Sequence, residues 1–438
     1  MGKVVDIGDS TKRRRKASGK SSKGRRKPSK TALVLGGGGF TGGVYEIGTL
    51  RALDLLAVNA GVNDFDMYVG TSAGSFIGTM LAAGVTPDEM MRVLTEEEDA
   101  PIERLTQDTM LKPSIGAYAG RAATLPLHVA SMVKNMIPRI RDISAIDFGW
   151  GLAEHLPDGL YDNAGIATYV RESLALQGIN DSFEAMEKEL LLTATDLDSG
   201  ERVVLGEAEG EWSGVPVSKA VQCSTALPVV YEPVEVNGRT LIDGGIYSTT
   251  NVDVAVDRGA EFIVVVNPIV PYLNDTSAPI PNVSGTEARR ISEMGLTAIA
   301  NQTFRLLVYQ RLHMVVEFWQ EKYPGVDIIL FEPALDDHLM FGTSIMDYSQ
   351  RLRIASHGFE TVTAKLAENY EEFKEITERH GLEISATRLK KVVRKVKEQE
   401  TSESSVWRRL FDQTTASLLR QTGASETESD GKTARSGS

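Results

Sequence analysis

Between Thr31 and Val266, short apolar runs alternate with stretches of helical periodicity, and this alternation leaves the chain few architectures to choose from. Ala32 to Leu35, Met67 to Val69, Leu190 to Ala194, Arg202 to Leu205, Thr240 to Ile242 and Phe262 to Val266 read as strands. Gly43 to Leu56, Ala73 to Leu81, Asn163 to Leu176 and Val252 to Arg258 read as helices, with longer helical patterns at Glu287 to Tyr323 and Tyr348 to His380. Strands that are apolar along their whole length need cover on both faces. The order therefore predicts an α/β fold, a three-layer sandwich around a mostly parallel central sheet. At 438 residues and 42% hydrophobic the chain can bury a large core, and no apolar run reaches the eighteen residues of a membrane span.

Charge marks the ends. Residues 1–30 hold twelve Lys and Arg against two Asp, although the whole chain carries −13. Thr11 to Lys30 has almost no apolar side chain and repels itself, which predicts a flexible basic tail over 1–30, read either as a solubilising arm or as a binder of phosphate or anionic lipid. The expected organisation continues with a main domain over 31–360, a helical extension over 361–422 and a second tail over 423–438. No apolar segment follows the basic residues as a secretory signal requires, and the lone Cys223 cannot form an intramolecular disulfide, so a cytoplasmic location is expected. No His or Cys cluster has metal-ligand spacing, and neither a metal nor a diffusible cofactor is expected. Nor does any segment call for specific nucleic-acid binding.

Three punctuated segments can carry chemistry. Thr31 to Leu50 runs from a strand through Gly36 to Gly39, then Gly42 and Gly43, into a helix. Glycines there let the backbone approach a bound atom, and the first amides of a helix are unpaired, so the turn is suited to an anion. It lacks the Lys of a P-loop. It matches a dinucleotide fingerprint as Gly37-x-Gly39-x-x-Gly42, with Asp64 or Asp66 for a ribose, and it equally suits an oxyanion hole. The second segment is Gly70-Thr71-Ser72-Ala73-Gly74 between a strand and a helix. Small residues flank a serine in this way where it occupies a sharp, strained bend as a nucleophile, although Ser72 alone also reads as a helix N-cap. None of the six histidines (His128, His155, His313, His338, His357 and His380) lies in a strand-end motif that would make it the base. In the third segment, the strand Thr240 to Ile242 ends in Asp243-Gly244-Gly245, a plain turn or a carboxylate at the open end of the sheet.

Together these residues resemble the patatin-like phospholipase family, whose glycine-rich loop, Gly-x-Ser-x-Gly elbow and distant Asp-Gly-Gly appear here in order as Gly37-Gly38-Gly39, Gly70 to Gly74 and Asp243-Gly244-Gly245. Ser224-Thr225-Ala226-Leu227-Pro228 is a softer fourth match. The resemblance implies a lipid acyl hydrolase acting on phospholipid or other acyl esters through a Ser72–Asp243 dyad, with Gly37, Gly38 and Gly39 lining the oxyanion hole and Gly70, Gly74, Gly244 and Gly245 supporting the turns. It also implies peripheral contact with a membrane. One position departs from the family, where Thr41 stands in place of the usual Arg or Lys. Alternatives are a silent lipid-binding scaffold on the same fold and a dinucleotide-binding oxidoreductase. Met110 to Ile143 reads as a lid or a core insertion. Thr387 to Lys397 and Val406 to Leu419 read as amphipathic helices that pack on the domain or lie on anionic lipid.

Overall fold

The computed structural model describes residues 3–6, 29–98, 100–114, 131, 157–277, 279–280 and 288–399. Its strands are β1 (Val4–Asp6), β2 (Thr31–Leu35), β3 (Met67–Thr71), β4 (Lys112–Pro113), β5 (Gly159–Asp162), β6 (Glu189–Asp196), β7 (Arg202–Leu205), β8 (Val229–Tyr231), β9 (Val234–Val236), β10 (Arg239–Asp243), β11 (Phe262–Val266) and β12 (Asp327–Phe331). The helices used below are α1 (Gly39–Leu56), α2 (Ala73–Ala82), α3 (Pro87–Thr95), α4 (Gln107–Met110), α5 (Ala164–Leu176), α6 (Val217–Ser224), α7 (Val252–Asp257), α8 (Leu296–Val316), α9 (Trp319–Lys322), α10 (His338–Gly342), α11 (Arg351–Glu368), α12 (Tyr370–Arg379) and α13 (Ala386–Gln399).

The main sheet has the order β1-β12-β11-β2-β3-β6-β10-β9, with β7 also on β6. All neighbours from β1 to β6 are parallel, whereas β10, β9 and β7 run antiparallel. The central strands are buried throughout, as their unbroken apolar runs require. Alternation sends Ala32, Val34, Met67, Val69, Ile263 and Val265 to one face, where they pack with Val252 of α7, Leu312 of α8 and Trp319 of α9. The other face is covered by α2, α1 packs on α2, and α11 lies on α1. Gly48 and Gly358 permit that crossing: a Cβ on Gly48 would overlap the Ala355 carbonyl, and one on Gly358 would lie 2.5 Å from the Tyr45 carbonyl oxygen. The architecture is thus the expected three-layer α/β sandwich.

Several boundaries differ from expectation. Val4–Asp6 is no tail: it adds a parallel edge strand to β12, with Val5 buried and the Lys3 amide donating to Asp327 at 2.5 Å. A break at 360 would cut α11, and the first compact unit continues to Ser385, whose amide donates to the Leu56 carbonyl. The second unit begins at Ala386, where α13 forms over the amphipathic basic stretch. The long pattern Glu287 to Tyr323 divides into α8 and α9, and Gly295 at φ +86° sets where α8 starts. Residues 7–28, 115–130, 132–156 and 400–438 lie outside the described residues, and with them the body of the Met110 to Ile143 stretch, the Val406 to Leu419 segment and the 423–438 tail. Among the described residues no helix is long and apolar enough to cross a membrane.

Candidate active site

The pairing around β6 brings two remote segments together. On one edge of β6, β3 pairs as far as Thr71 opposite Thr193, and β10, running the other way, takes over at Asp243 opposite Ala194. The carboxyl ends of β3 and β10 therefore meet head to head. Ser72 follows β3 directly, Asp243 closes β10, and the Ser72 Oγ donates to Asp243 Oδ2 at 2.5 Å across 171 positions of sequence.

Ser72 sits on a bend that its side chain does not favour, with φ 53° and ψ −121°. It makes no N-cap hydrogen bond to α2. Its backbone is held instead: the Ser72 amide donates to Ser224 Oγ at 2.8 Å, and the Ser72 carbonyl accepts from the amide and hydroxyl of Ser75 at 2.9 and 2.6 Å. Strain persists only where the surroundings over-determine it. Gly70, Gly74 and Gly244 belong to this packing, since a Cβ on any of them would run into the backbone of Ser75, Leu35 or Thr193.

Asp243 is 2% exposed. Burial is the largest influence on its carboxyl and pushes its pKa up to about 6, against the opposing pull of the Ser72 hydroxyl and of the Gly245 amide, which donates to Oδ1 at 2.7 Å. The turn after it is fixed by Asn251, wholly buried. Its Nδ2 donates to Thr71 Oγ1 at 3.0 Å, Thr193 Oγ1 at 3.1 Å and the Ser248 carbonyl at 3.1 Å, and its Oδ1 accepts from Arg202 at 3.0 Å. One amide side chain therefore joins the serine strand, the neighbouring strand and the aspartate turn. Neither Ser224 nor Asn251 was identified as a site residue from sequence. Ser224 lies in the small-residue segment before Pro228, and Asn251 lies eight residues beyond Asp243.

The glycine loop corrects one expectation. The Gly36 amide donates to the Val266 carbonyl at 2.9 Å and the Gly37 amide to the Thr249 carbonyl at 3.1 Å, so Gly37 has no N–H left for an oxyanion. The amides of Gly38, Gly39 and Ala73 have no acceptor among the described residues. Gly39 needs its glycine: φ is +60°, and a Cβ would lie 2.7 Å from the Ile345 carbonyl oxygen. Thr41 is buried, and its hydroxyl donates to the Ser344 carbonyl at 2.6 Å while its amide donates to that of Ile345 at 3.1 Å. The residue in the usual basic position thus ties the 344–345 segment over the loop. The dinucleotide alternative loses its acid, because Asp66 precedes β3, at the opposite end of the strand from Ser72, and is occupied by the amide and hydroxyl of Thr31. Asp64 also precedes β3 and accepts from the Gly61 amide.

Ser72, Ala73 and Gly39 open onto a cavity of about 110 Å³ walled by Phe76, Met80, Met90, Ile166, Tyr169 and Met346 among others. Met110 also lines it. The wall is almost entirely apolar. The described histidines are engaged elsewhere: His313 with Glu332, His338 with Tyr272, His357 with Asp337 and His380 with Asp327. His128 and His155 lie outside the described residues. Cys223 is buried, and desolvation pushes its thiol up to about 12. No group of three or more metal-ligating side chains occurs among the described residues.

Comparison with known proteins bears on this arrangement. The sequence profile of the patatin-like phospholipases matches residues 33–256. YqhO of Bacillus subtilis (strain 168), itself uncharacterized, is 26% identical over 227 residues, covering 49% of this chain and 63% of its own. A probable lipid hydrolase of Invertebrate iridescent virus 6 is 22% identical over 232 residues, covering 51% of this chain and 62% of its own. The chain thus spans less than two thirds of these curated relatives. Among solved structures, VipD from Legionella pneumophila is 15% identical with a TM-score of 0.33, covering 78% of this chain and 67% of that one.

Proposed function

This chain belongs to the patatin-like phospholipase family, and from that membership we propose that it is a serine-type lipid acyl hydrolase with Ser72 as nucleophile and Asp243 as base. The observation that carries the reading is the 2.5 Å contact between Ser72 Oγ and Asp243 Oδ2 at the edge of an apolar cavity. As Oγ attacks the ester carbonyl, its proton passes to Oδ2. The charge gathering on the carbonyl oxygen is met by the amides of Gly38 and Gly39. Asp243 then gives the proton to the departing alcohol, which leaves an acyl-serine. Water releases the acyl group when Asp243 takes a proton from it, and the hydroxyl of Ser72 is restored. An aspartate at its ordinary pKa is a weak base for this work, and the rise to about 6 brings Asp243 nearer to neutral operation.

The apolar wall supports placing the acyl chain of a membrane phospholipid or similar lipid on that side of Ser72, and besides the ester the cycle consumes only water. A fluorophosphonate probe should label Ser72, as read by peptide mapping. Ser72→Ala and Asp243→Asn should each lose turnover of a short acyl ester while keeping the circular dichroism of the parent. Undiminished activity in either variant ends the reading.

A further inference from the structure

Helix α8 is apolar on two opposite faces, and the protein covers only one of them. Leu312 and Val316 point into the core, and Arg305 is buried on the same side. Opposite them, Leu296, Ile299, Leu307 and Met314, with Phe318 just past the end of the helix, are 82%, 42%, 68%, 61% and 58% exposed. With Thr303 and Gln310 they recur every three or four residues, so they form a single strip along a helix of roughly 30 Å. Leu306 and Val315 flank the strip, both exposed. A helix on a protein surface normally turns charge outward, and a contiguous exposed apolar strip marks an interface.

We propose that this strip docks on the surface of an anionic phospholipid bilayer. Two observations select that occupant. First, α8 has no Asp or Glu in its 21 residues, although the chain holds 60 acids against 47 bases. Arg311, exposed beside the strip, makes no ion pair among the described residues and lies 4.8 Å over the Tyr247 ring. Arg289 and Arg290 are exposed at the N-terminal end, where Glu293 accepts from both backbone amides, and Glu317 and Glu321 follow the C-terminal end. Second, a bilayer accepts one convex helix strip without the complementary groove that a protein partner would have to supply.

Helix α8 is also tied to segments that adjoin the candidate site. Arg305 donates to the Met340 carbonyl at 3.0 Å, and the chain runs on from Met340 to Ile345 over Gly39 and to Met346 in the cavity wall. Arg311 packs on Tyr247, four residues after Asp243. The choice of a lipid partner rests on the hydrolase reading, but the docking itself has its own readout.

The test is co-sedimentation of the full chain with vesicles of phosphatidylcholine containing phosphatidylglycerol, alongside turnover of a soluble short-chain ester. The parent protein should bind, and Leu307→Ser with Met314→Ser should lose at least tenfold in partitioning, with Tm and soluble-ester turnover unchanged. Arg311→Gln should weaken binding to anionic vesicles several-fold and leave the weaker binding to pure phosphatidylcholine alone. If the serine variant fails to fold, Met314→Cys carrying an environment-sensitive fluorophore reports burial in the bilayer directly, because the other thiol, Cys223, is buried. Failure of the parent to bind, undiminished binding by the serine variant, or a parent dimer that this variant dissolves without any vesicle effect would each overturn the docking. Vesicle binding through the strip without any ester turnover would leave docking standing and remove the hydrolase reading.

Discussion

Replacing Asp243 by asparagine should remove a fall in stability that the parent protein suffers as pH rises from about 4 to about 6. Burial, partly opposed by the Ser72 hydroxyl and the Gly245 amide, lifts the Asp243 carboxyl from an ordinary 3.8 to about 6. The folded protein therefore holds this proton more tightly than the unfolded chain does. The stability owed to it is fully present below the unfolded pKa and is lost as pH rises through the folded one. At ~1.4 kcal/mol per pH unit, the parent loses about 3 kcal/mol from this group by neutral pH. Asparagine stays neutral throughout, but its single oxygen can accept from Ser72 or from Gly245 and not from both, a loss of about 1 kcal/mol. The variant should be the less stable protein near pH 4 and the more stable one at pH 8, by roughly 2 kcal/mol. Urea unfolding of both proteins across this range reads the difference, and the other carboxylates cancel in the subtraction. A difference that stays flat with pH, or one that favours the parent as pH rises, would refute the burial argument. By the same reasoning kcat/KM of the parent should rise about tenfold per pH unit up to about 6 and then level off.

Ser72→Gly should abolish turnover by about a thousandfold or more. Its stability should stay within about 1 kcal/mol of the parent, because glycine accepts φ 53° without strain but leaves Asp243 without the Ser72 hydroxyl. Asn251→Ala leaves Thr71, Thr193 and the Ser248 carbonyl without their shared buried donor and should cost about 3 kcal/mol in urea unfolding. Its kcat should fall while its KM holds, and a parent-like kcat would show that Asn251 does not position the dyad. Gly39→Ala, strained at φ +60° and pressed on the Ile345 carbonyl, should lower both Tm and kcat. Unchanged values would mean that the 344–345 segment yields freely.

The parts of the site written in local backbone grammar were legible in the sequence. A serine between small residues and an aspartate before two glycines each specify a local shape, and Ser72 and Asp243 lie where those shapes place them. Their meeting was implied by the family resemblance and not by the residues themselves, because it depends on β10 running antiparallel along the edge of β6 that β3 vacates, and an apolar run such as Thr240 to Ile242 pairs in either direction. Ser224 and Asn251 are single polar residues with no periodic signal, so only their hydrogen bonds reveal them. Gly37 looked identical to its neighbours, yet its amide is spent on Thr249, a residue more than two hundred positions away. Val4–Asp6 was hidden by the basic residues that follow it. β12 is a short apolar run of the kind that fits a strand or part of a helix.

Thr41 shows how a departure from a family pattern is to be weighed. Counted as charge, losing a basic residue beside the glycine loop takes positive potential from a site that must stabilise an anion. Counted as packing, the position is closed: Thr41 is 4% exposed, its hydroxyl and amide both point at carbonyls of the 344–345 segment, and that segment rests on Gly39. A long cationic side chain would have to displace the segment to reach solvent. The substitution and the position of 344–345 are thus one feature, in which a tether replaces a charge. In the proposed reaction the loss is tolerable because the donors nearest the forming oxyanion are the backbone amides of Gly38 and Gly39, and the tether holds Gly39 in the conformation that keeps its amide free.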